Sequence, residues 1–165
     1  MRTQRILLRE RYAMARNTIA ILIGLLVLGA LFIIIAVAAH DIVPGALERY
    51  DVDERPLLAP GAVAIVALLN ACAALIAGYL AAWIGRGEEI RNGLALGVGA
   101  GLLALLFALA DYDDSPLLPV LWFVGPDDVP VIEALWYKVH LVVVPLPFAL
   151  IGAYIRTLAD HGTGP

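Results

Sequence analysis

The sequence predicts an all-α, polytopic membrane protein in which residues 1–165 form one domain, a bundle of four transmembrane helices with both termini in the cytoplasm. Hydrophobic residues make up 62% of the chain and the mean hydropathy is +0.88. Soluble proteins are only about 45–50% apolar. The sequence also contains four apolar runs close to the length that crosses a bilayer, which is about 20 residues per helix.

The four runs divide the chain into helices and connecting segments. The first run, 18–39, has 22 residues and no charge, which is longer than the apolar core of a cleaved secretory signal, about 7–15 residues. We therefore expect it to be retained as a helix. The predicted segments are an N-terminal segment 1–16, helix one 17–39, an acidic loop 40–59, helix two 60–85, a turn 86–91, helix three 92–110, a loop 111–134 with an interfacial stretch, helix four 135–156 and a tail 157–165.

Charge sets the expected orientation. Eight of the 11 basic residues lie in the N-terminal segment, in the turn or at the C-terminal end of helix four, and 11 of the 15 acids lie in the other two loops. Because basic loops stay in the cytoplasm, both termini are predicted there, in a cell membrane. The arginines of 1–16 are interpreted as a topological anchor, with a helix lying on the membrane surface as the alternative. The net charge of −4 argues against a nucleic-acid partner.

Helix three carries a glycine at every fourth position, so these glycines share one face. The ladder consists of Gly93, Gly97 and Gly101. A matching stripe of small residues on helix two includes Ala71, Gly78 and Ala82. In lipid, close backbone approach and dispersion hold helices together, so we expect the ladder to pack against helix two. A contact between two copies of the chain remains the alternative. A leucine at Gly97 is expected to disturb the bundle more than the change Leu96→Ala.

The stretch "GRGEEIRNG", 85–93, predicts a tight cytoplasmic turn between helices two and three. A phosphate-binding loop would follow a strand, whereas a predicted membrane helix precedes this one. Gly85 or Gly87 is expected to end helix two, and Asn92 to cap helix three.

Two prolines predict an irregularity in helix four. Pro145 and Pro147 each lack an N–H, and each ring crowds the carbonyl four residues earlier. We therefore expect a kink or a partly unwound segment between residues 142 and 148.

The stretch "GYLAAWIGRGEEIRNG", 78–93, is similar to small four-span prokaryotic membrane proteins of unknown function. These proteins often show Gly-Tyr-x-Ala, then a short charged turn with a glutamate, then a glycine-rich helix. The matching positions are Gly78, Tyr79, Ala81, Glu89 and Gly93. The match covers a short part of the chain, and the long acidic loops depart from the compact members. The resemblance implies a fold and a location, and the family has no activity to carry over.

Few residues are candidates for chemistry. Asn70 is the polar residue near the middle of a predicted span, where polar side chains are often functional. His40 and His140 lie near the outer surface and could ligate a haem or a metal, although a histidine hydrogen-bonded to a loop is the preferred interpretation. The clusters "DVDE" and "DYDD" are interpreted as solvated acidic surface, so no metal site is predicted. Cys72, the single cysteine, is expected to be a packing residue.

These observations predict a non-catalytic protein without a cofactor. Ser115 is the only serine and precedes a proline, and no Ser-His-acid or Cys-His arrangement is present in the sequence. No acid lies well inside a span, which disfavours ion-coupled transport. We expect a membrane scaffold or a small subunit of a membrane assembly, with the lipid bilayer and a membrane protein or further copies of the chain as partners. The alternatives are a passive pore or carrier for a small solute, or a haem-binding electron carrier.

Overall fold

A computed structural model describes residues 2–42, 47–49, 56–58, 60–110 and 135–161. The elements are helix α1 Arg2–Ile42, strands β1 Leu47–Arg49 and β2 Pro56–Leu58, and helices α2 Pro60–Ile84, α3 Glu89–Ala110, α4 Leu135–Val143 and α5 Pro145–His161. Among these described residues, four stretches are long and apolar enough to cross a membrane: Glu10–Ile35, Ala64–Ile84, Glu89–Leu106 and Val139–Asp160. The predicted helical architecture with four potential spans is therefore confirmed, and it suggests a multi-pass membrane protein.

Helix α1 is a single helix of 41 residues. The predicted boundary between the N-terminal segment and helix one is therefore not a structural break. Residues 2–16 contain no glycine or proline and are rich in arginine, leucine and alanine, which favour helix. At 1.5 Å per residue, α1 is roughly 60 Å long, about twice the thickness of a bilayer's hydrocarbon core. Because Arg16 contacts Arg86 in the turn that follows α2, the helical residues before Arg16 extend beyond the end of α2.

A short ribbon lies within the segment 40–59, which the sequence predicted as a loop. Strands β1 and β2 pair antiparallel, with Leu47 opposite Leu58 and Glu48 opposite Leu57. Helix α1 also extends three residues beyond its predicted end at residue 39. The acidic stretches 51–54 and 111–114 and the predicted interfacial stretch of loop 111–134, with Ser115, lie outside the described residues.

The α2–α3 turn ends α2 close to its predicted boundary. Gly87 has a φ of 92°, a conformation that glycine adopts without steric penalty. The Gly87 N–H donates to Oε1 of Glu89 over 2.7 Å, and the Gly85 N–H donates to the Ala81 carbonyl over 3.0 Å. Helix α3 then begins at Glu89, three residues before the predicted start, with an acid in its first turn as the helix dipole favours.

Helix four is divided into α4 and α5 at Val144. The Val144 N–H donates to the His140 carbonyl over 2.9 Å, and the next bond across the break, from Phe148 N–H to the Val144 carbonyl, is longer at 3.4 Å. Pro145 and Pro147 supply no N–H in this stretch. The predicted interruption between residues 142 and 148 is therefore confirmed.

The helices pack around a core of small residues. Helices α1 and α5 each pack against both α2 and α3, and α4 packs mainly against α3. The core cluster consists of Leu28, Ala73, Ala74, Ala77, Ala81, Leu96, Ala100 and Ala149. Large aliphatic side chains are exposed instead, such as Leu22 and Leu26 of α1. Small residues inside and large apolar residues outside are typical of helices that pack in lipid.

Cys72 is exposed on α2, so the expectation that it is a packing residue is wrong. The neighbours of Cys72, Ala71 and Ala73, are both buried. The apolar run is uniformly hydrophobic, so hydropathy does not show which positions face the other helices.

Candidate functional site

Very close helix contacts surround Ala149 of α5, which is fully buried. A Cβ built on Gly78 of α2 would stand 2.5 Å from the Ala149 Cα, and one built on Gly93 of α3 would stand 3.0 Å from the Ala149 carbonyl oxygen. The contact is reciprocal, because a Cβ on Gly152 of α5 would stand 2.8 Å from the Tyr79 nitrogen of α2. We call the contact among α2, α3 and α4–α5 lined by Gly78, Gly93, Gly97, Gly101 and Gly152 the glycine junction.

The glycine ladder of α3 faces α4 and α5, and the prediction that it packs against helix two is wrong. A Cβ on Gly93 would stand 2.5 Å from the Ala153 Cβ, one on Gly97 would stand 2.6 Å from the Leu146 Cα, and one on Gly101 would stand 2.6 Å from the Val142 carbonyl oxygen. The ladder therefore follows helix four across its proline break. The ladder packs within the chain, which is the arrangement that the sequence favoured over a contact between two copies. Its partner, however, is helix four and not helix two.

The physical reason lies in the small residues of α5. Gly152 and Ala153 let α5 approach both α2 and α3, so α5 occupies the position in which the sequence placed the direct α2–α3 contact. The predicted helix-two stripe is buried: Ala71 is 3% exposed and Ala82 is 0% exposed. Its Gly78 packs on α5 and not on the ladder.

The first polar cluster ties α4 to α2. His140 places Nε2 3.1 Å from the carbonyl oxygen of Ala67, and a carbonyl can only accept, so Nε2 carries the proton and donates. Asn70, one turn further along α2, is buried at 5% exposure. Polar side chains between apolar helices stabilise their association. His40 is on α1, but its side chain lies outside the described residues.

The second polar cluster lies at the end of the bundle that carries the α2–α3 turn, which we call the turn end. Asn92 is 1% exposed, and its Nδ2 donates to the Gly85 carbonyl over 3.0 Å and lies 3.5 Å from Oδ1 of Asn17. Asn92 therefore links α1, the end of α2 and α3. Its predicted role as the cap of helix three is wrong, because α3 begins at Glu89 and the Asn92 side chain caps the C-terminal end of α2.

Arginine side chains complete the turn end. A guanidinium nitrogen of Arg16 donates to the Arg86 carbonyl in the turn. Arg156 of α5 pairs with Asp160 over 2.5 Å, and its side chain is 12% exposed. Arg91 pairs with Glu88 over 3.7 Å at the surface. Sequence reasoning missed Arg16 and Asn17 as partners of the turn. Both residues directly precede the uncharged run at 18–39, which places them level with the predicted turn 86–91. This position was the signal that could have identified them as partners of the turn.

The glycine junction provides close helix packing, and the two polar clusters provide hydrogen bonds between helices. Among the side chains that the structure describes, no group of three or more His, Cys, Asp or Glu residues comes together as a metal site would require. No family model, no curated protein and no solved structure matches the chain.

Proposed function

We propose that the chain is a multi-pass protein of the cell membrane that works without catalysis, as a scaffold or a small subunit of a membrane assembly. The observation that carries this proposal is the glycine junction. There the backbones of three helices are so close that a single added Cβ would stand 2.5 Å from the Ala149 Cα. Packing by small residues is how helices associate in lipid, where no hydrophobic driving force acts between them.

The surface supports a role in association with lipid or with other membrane proteins. On α3 an apolar row recurs at every fourth position beside the glycine ladder: Leu94, Val98, Leu102 and Leu106 are 46%, 45%, 55% and 61% exposed. Exposed apolar surface of this extent is unfavourable in water. It favours a chain that is covered by acyl chains and by other transmembrane helices.

Charge supports termini in the cytoplasm. The start of α1, the α2–α3 turn and the end of α5 lie at the turn end, because Arg16 contacts Arg86 and Gly93 contacts Ala153. This end carries most of the basic residues of the sequence, and basic flanks favour the cytoplasmic side. The proposed orientation therefore places the turn end in the cytoplasm.

The pore and haem alternatives receive less support. A pore needs a continuous polar lining, but backbone contacts at Gly97 and Gly101 fill the space between α3 and helix four. A haem iron bound through Nε2 of His140 would have to break the hydrogen bond to Ala67. Tight packing therefore favours a structural role over a passage or a cofactor pocket.

The experiment that tests this function is affinity purification of the tagged full-length chain from its native membranes after chemical cross-linking. We expect one or a few membrane proteins, or further copies of the chain, in a fixed ratio to it. A second arm places the purified protein in liposomes and follows the flux of small solutes. Solute flux from a chain that purifies alone would contradict the scaffold proposal and support the pore.

A further inference from the structure

We propose that Arg16 and the α2–α3 turn form a binding site for the phosphate group of an anionic phospholipid. This inference rests on the proposed membrane location but not on the scaffold role. The arginines of the turn end differ in how their charges are balanced.

Arg156 and Arg91 each have a carboxylate of their own. Asp160 lies 2.5 Å from Arg156, whose side chain is mostly buried, and Glu88 lies 3.7 Å from the exposed Arg91. Each of these arginines therefore has an opposite charge beside it, and for the mostly buried Arg156 this charge compensates part of the lost hydration. Nε of Arg156 is buried without an acceptor among the described residues, as Nε of Arg16 is, so the carboxylate is what distinguishes Arg156 from Arg16.

Arg16 has only a backbone partner among the residues that the structure describes. One guanidinium nitrogen donates to the Arg86 carbonyl, while Nε is buried and has no acceptor within hydrogen-bonding distance. The two acids of the turn are engaged elsewhere: Glu88 pairs with Arg91, and Glu89 accepts from the Gly87 N–H. A partly buried charge without a counter-charge is unfavourable. An external anion at Arg16 would therefore be stabilised.

Helix α1 continues past the α2–α3 turn on the N-terminal side of Arg16. Arg16 continues the buried stripe of α1, in which Ala20 and Gly24 follow at intervals of four residues. Helix α2 ends at Ile84, so α1 projects past the turn, and Tyr12, one turn before Arg16, is 72% exposed. Positions 9, 12 and 16 share one face of a helix. Arg9 is thus placed on the face of α1 that carries Arg16, beyond the end of α2.

The surroundings favour a lipid over a water-soluble anion. Ile19 on α1 and Trp83 on α2 are about half exposed close to Arg16 and Arg86 in sequence, and tryptophan and tyrosine prefer the headgroup level of a bilayer. Basic residues next to a transmembrane helix attract anionic headgroups, with about 1 kcal/mol for each arginine near the surface. A guanidinium also makes charge-assisted hydrogen bonds to phosphate oxygens. A phosphate at the end of two acyl chains therefore fits both the charge and the apolar flanks.

The test uses the full-length protein in a neutral detergent and measures binding of dioleoylphosphatidylglycerol, dioleoylphosphatidylcholine and sodium phosphate by native mass spectrometry. We expect the anionic lipid to bind more tightly than the zwitterionic one, and phosphate not to compete. Arg16→Gln should weaken binding of the anionic lipid about fivefold or more, the factor that corresponds to one surface arginine. The control Arg91→Gln removes the same charge from an exposed residue that already has Glu88 beside it, and its loss of binding should be clearly smaller than that of Arg16→Gln.

Arg16→Lys covers the case in which the glutamine variant does not fold. It keeps the charge but loses the planar fork, so binding should fall less than for glutamine while the preference for the anionic lipid remains. Equal binding of the two lipids by the wild type, or equal losses in the Arg16 and Arg91 variants, would overturn the site. Competition by sodium phosphate would replace the lipid with a soluble anion. These results leave the scaffold proposal standing, whereas release of the chain from membranes by alkaline carbonate would contradict the membrane location itself.

Discussion

The Cα of Ala149 on α5 lies so close to Gly78 of α2 that a Cβ built on Gly78 would stand 2.5 Å from it. The same residue meets Gly93 of α3 from the other side. Ala149 is therefore the point at which three helices are held at backbone distance. Any atom added at Gly78 must move a helix, because the groups it would meet are main-chain atoms.

Gly78→Ala should lower the stability of the bundle. The overlap with the Ala149 backbone is expected to cost about 1–3 kcal/mol, as in overpacked cores, which exceeds the gain of about 1 kcal/mol from replacing glycine in a helix. The control is Gly29→Ala on α1, because a Cβ there meets nothing within 4 Å. Thermal unfolding in detergent should show a lower Tm for Gly78→Ala and an unchanged or higher Tm for Gly29→Ala. Equal Tm values for the two variants would count against the glycine junction.

Gly97→Leu should destabilise the folded chain without separating copies of it. Its first added atom would stand 2.6 Å from the Leu146 Cα of the same chain. Thermal unfolding with size-exclusion chromatography measures both effects. If the variant kept its Tm and split an oligomer, the ladder would be a contact between copies and the observed packing on helix four would be wrong.

Leu96→Ala should also be strongly destabilising, in contrast to the sequence expectation that it matters less than Gly97. Leu96 is one of the two largest fully buried side chains among the described residues, and it packs in the core with Leu28 and Ala77. Removing three buried carbons should cost about 2–5 kcal/mol. The matched control is Leu94→Ala, since Leu94 is exposed on the same helix. A Tm for Leu96→Ala as high as that of the control would contradict the assigned core.

Asn92→Ala should loosen the turn end. It removes the donor to the Gly85 carbonyl and the neighbour of Asn17, and an unsatisfied buried polar group costs about 1–3 kcal/mol. Arg91→Ala, at the exposed position next to it, should change stability by about 1 kcal/mol or less. Hydrogen exchange should show faster exchange at residues 85–92 for Asn92→Ala only. Unchanged exchange would mean that the Asn92 side chain does not hold the turn.

The sequence predicted the architecture well because hydropathy and backbone chemistry are local properties. Helix α2 begins at Pro60 as expected and ends one residue early, and the prolines divide helix four where their missing N–H groups require it. The partner of the glycine ladder was not predictable in the same way. A four-residue spacing defines a face of α3, but it does not say which helix covers that face, and the small residues Gly152 and Ala153 were not recognised as a second approach surface.

The turn end shows the same limit. Asn92 stands at the predicted start of helix three, where an asparagine often caps, yet the charged residues before it form the first helical turn and direct its side chain to the end of α2. The contacts from Asn17 and Arg16 join positions separated by 75 and 70 residues. Local propensity carries no information on pairs so distant in sequence.

The proposed four-span topology is tested most directly by cysteine accessibility in intact cells. In a Cys72→Ala background, needed because Cys72 is exposed, single cysteines replace Asp53, Asp113 and Glu88 in turn. An impermeant maleimide should label positions 53 and 113 from outside and should label position 88 only after the cells are permeabilised. Labelling of position 88 in intact cells would contradict the orientation, and labelling of positions 53 and 113 from opposite sides would contradict the four-span bundle.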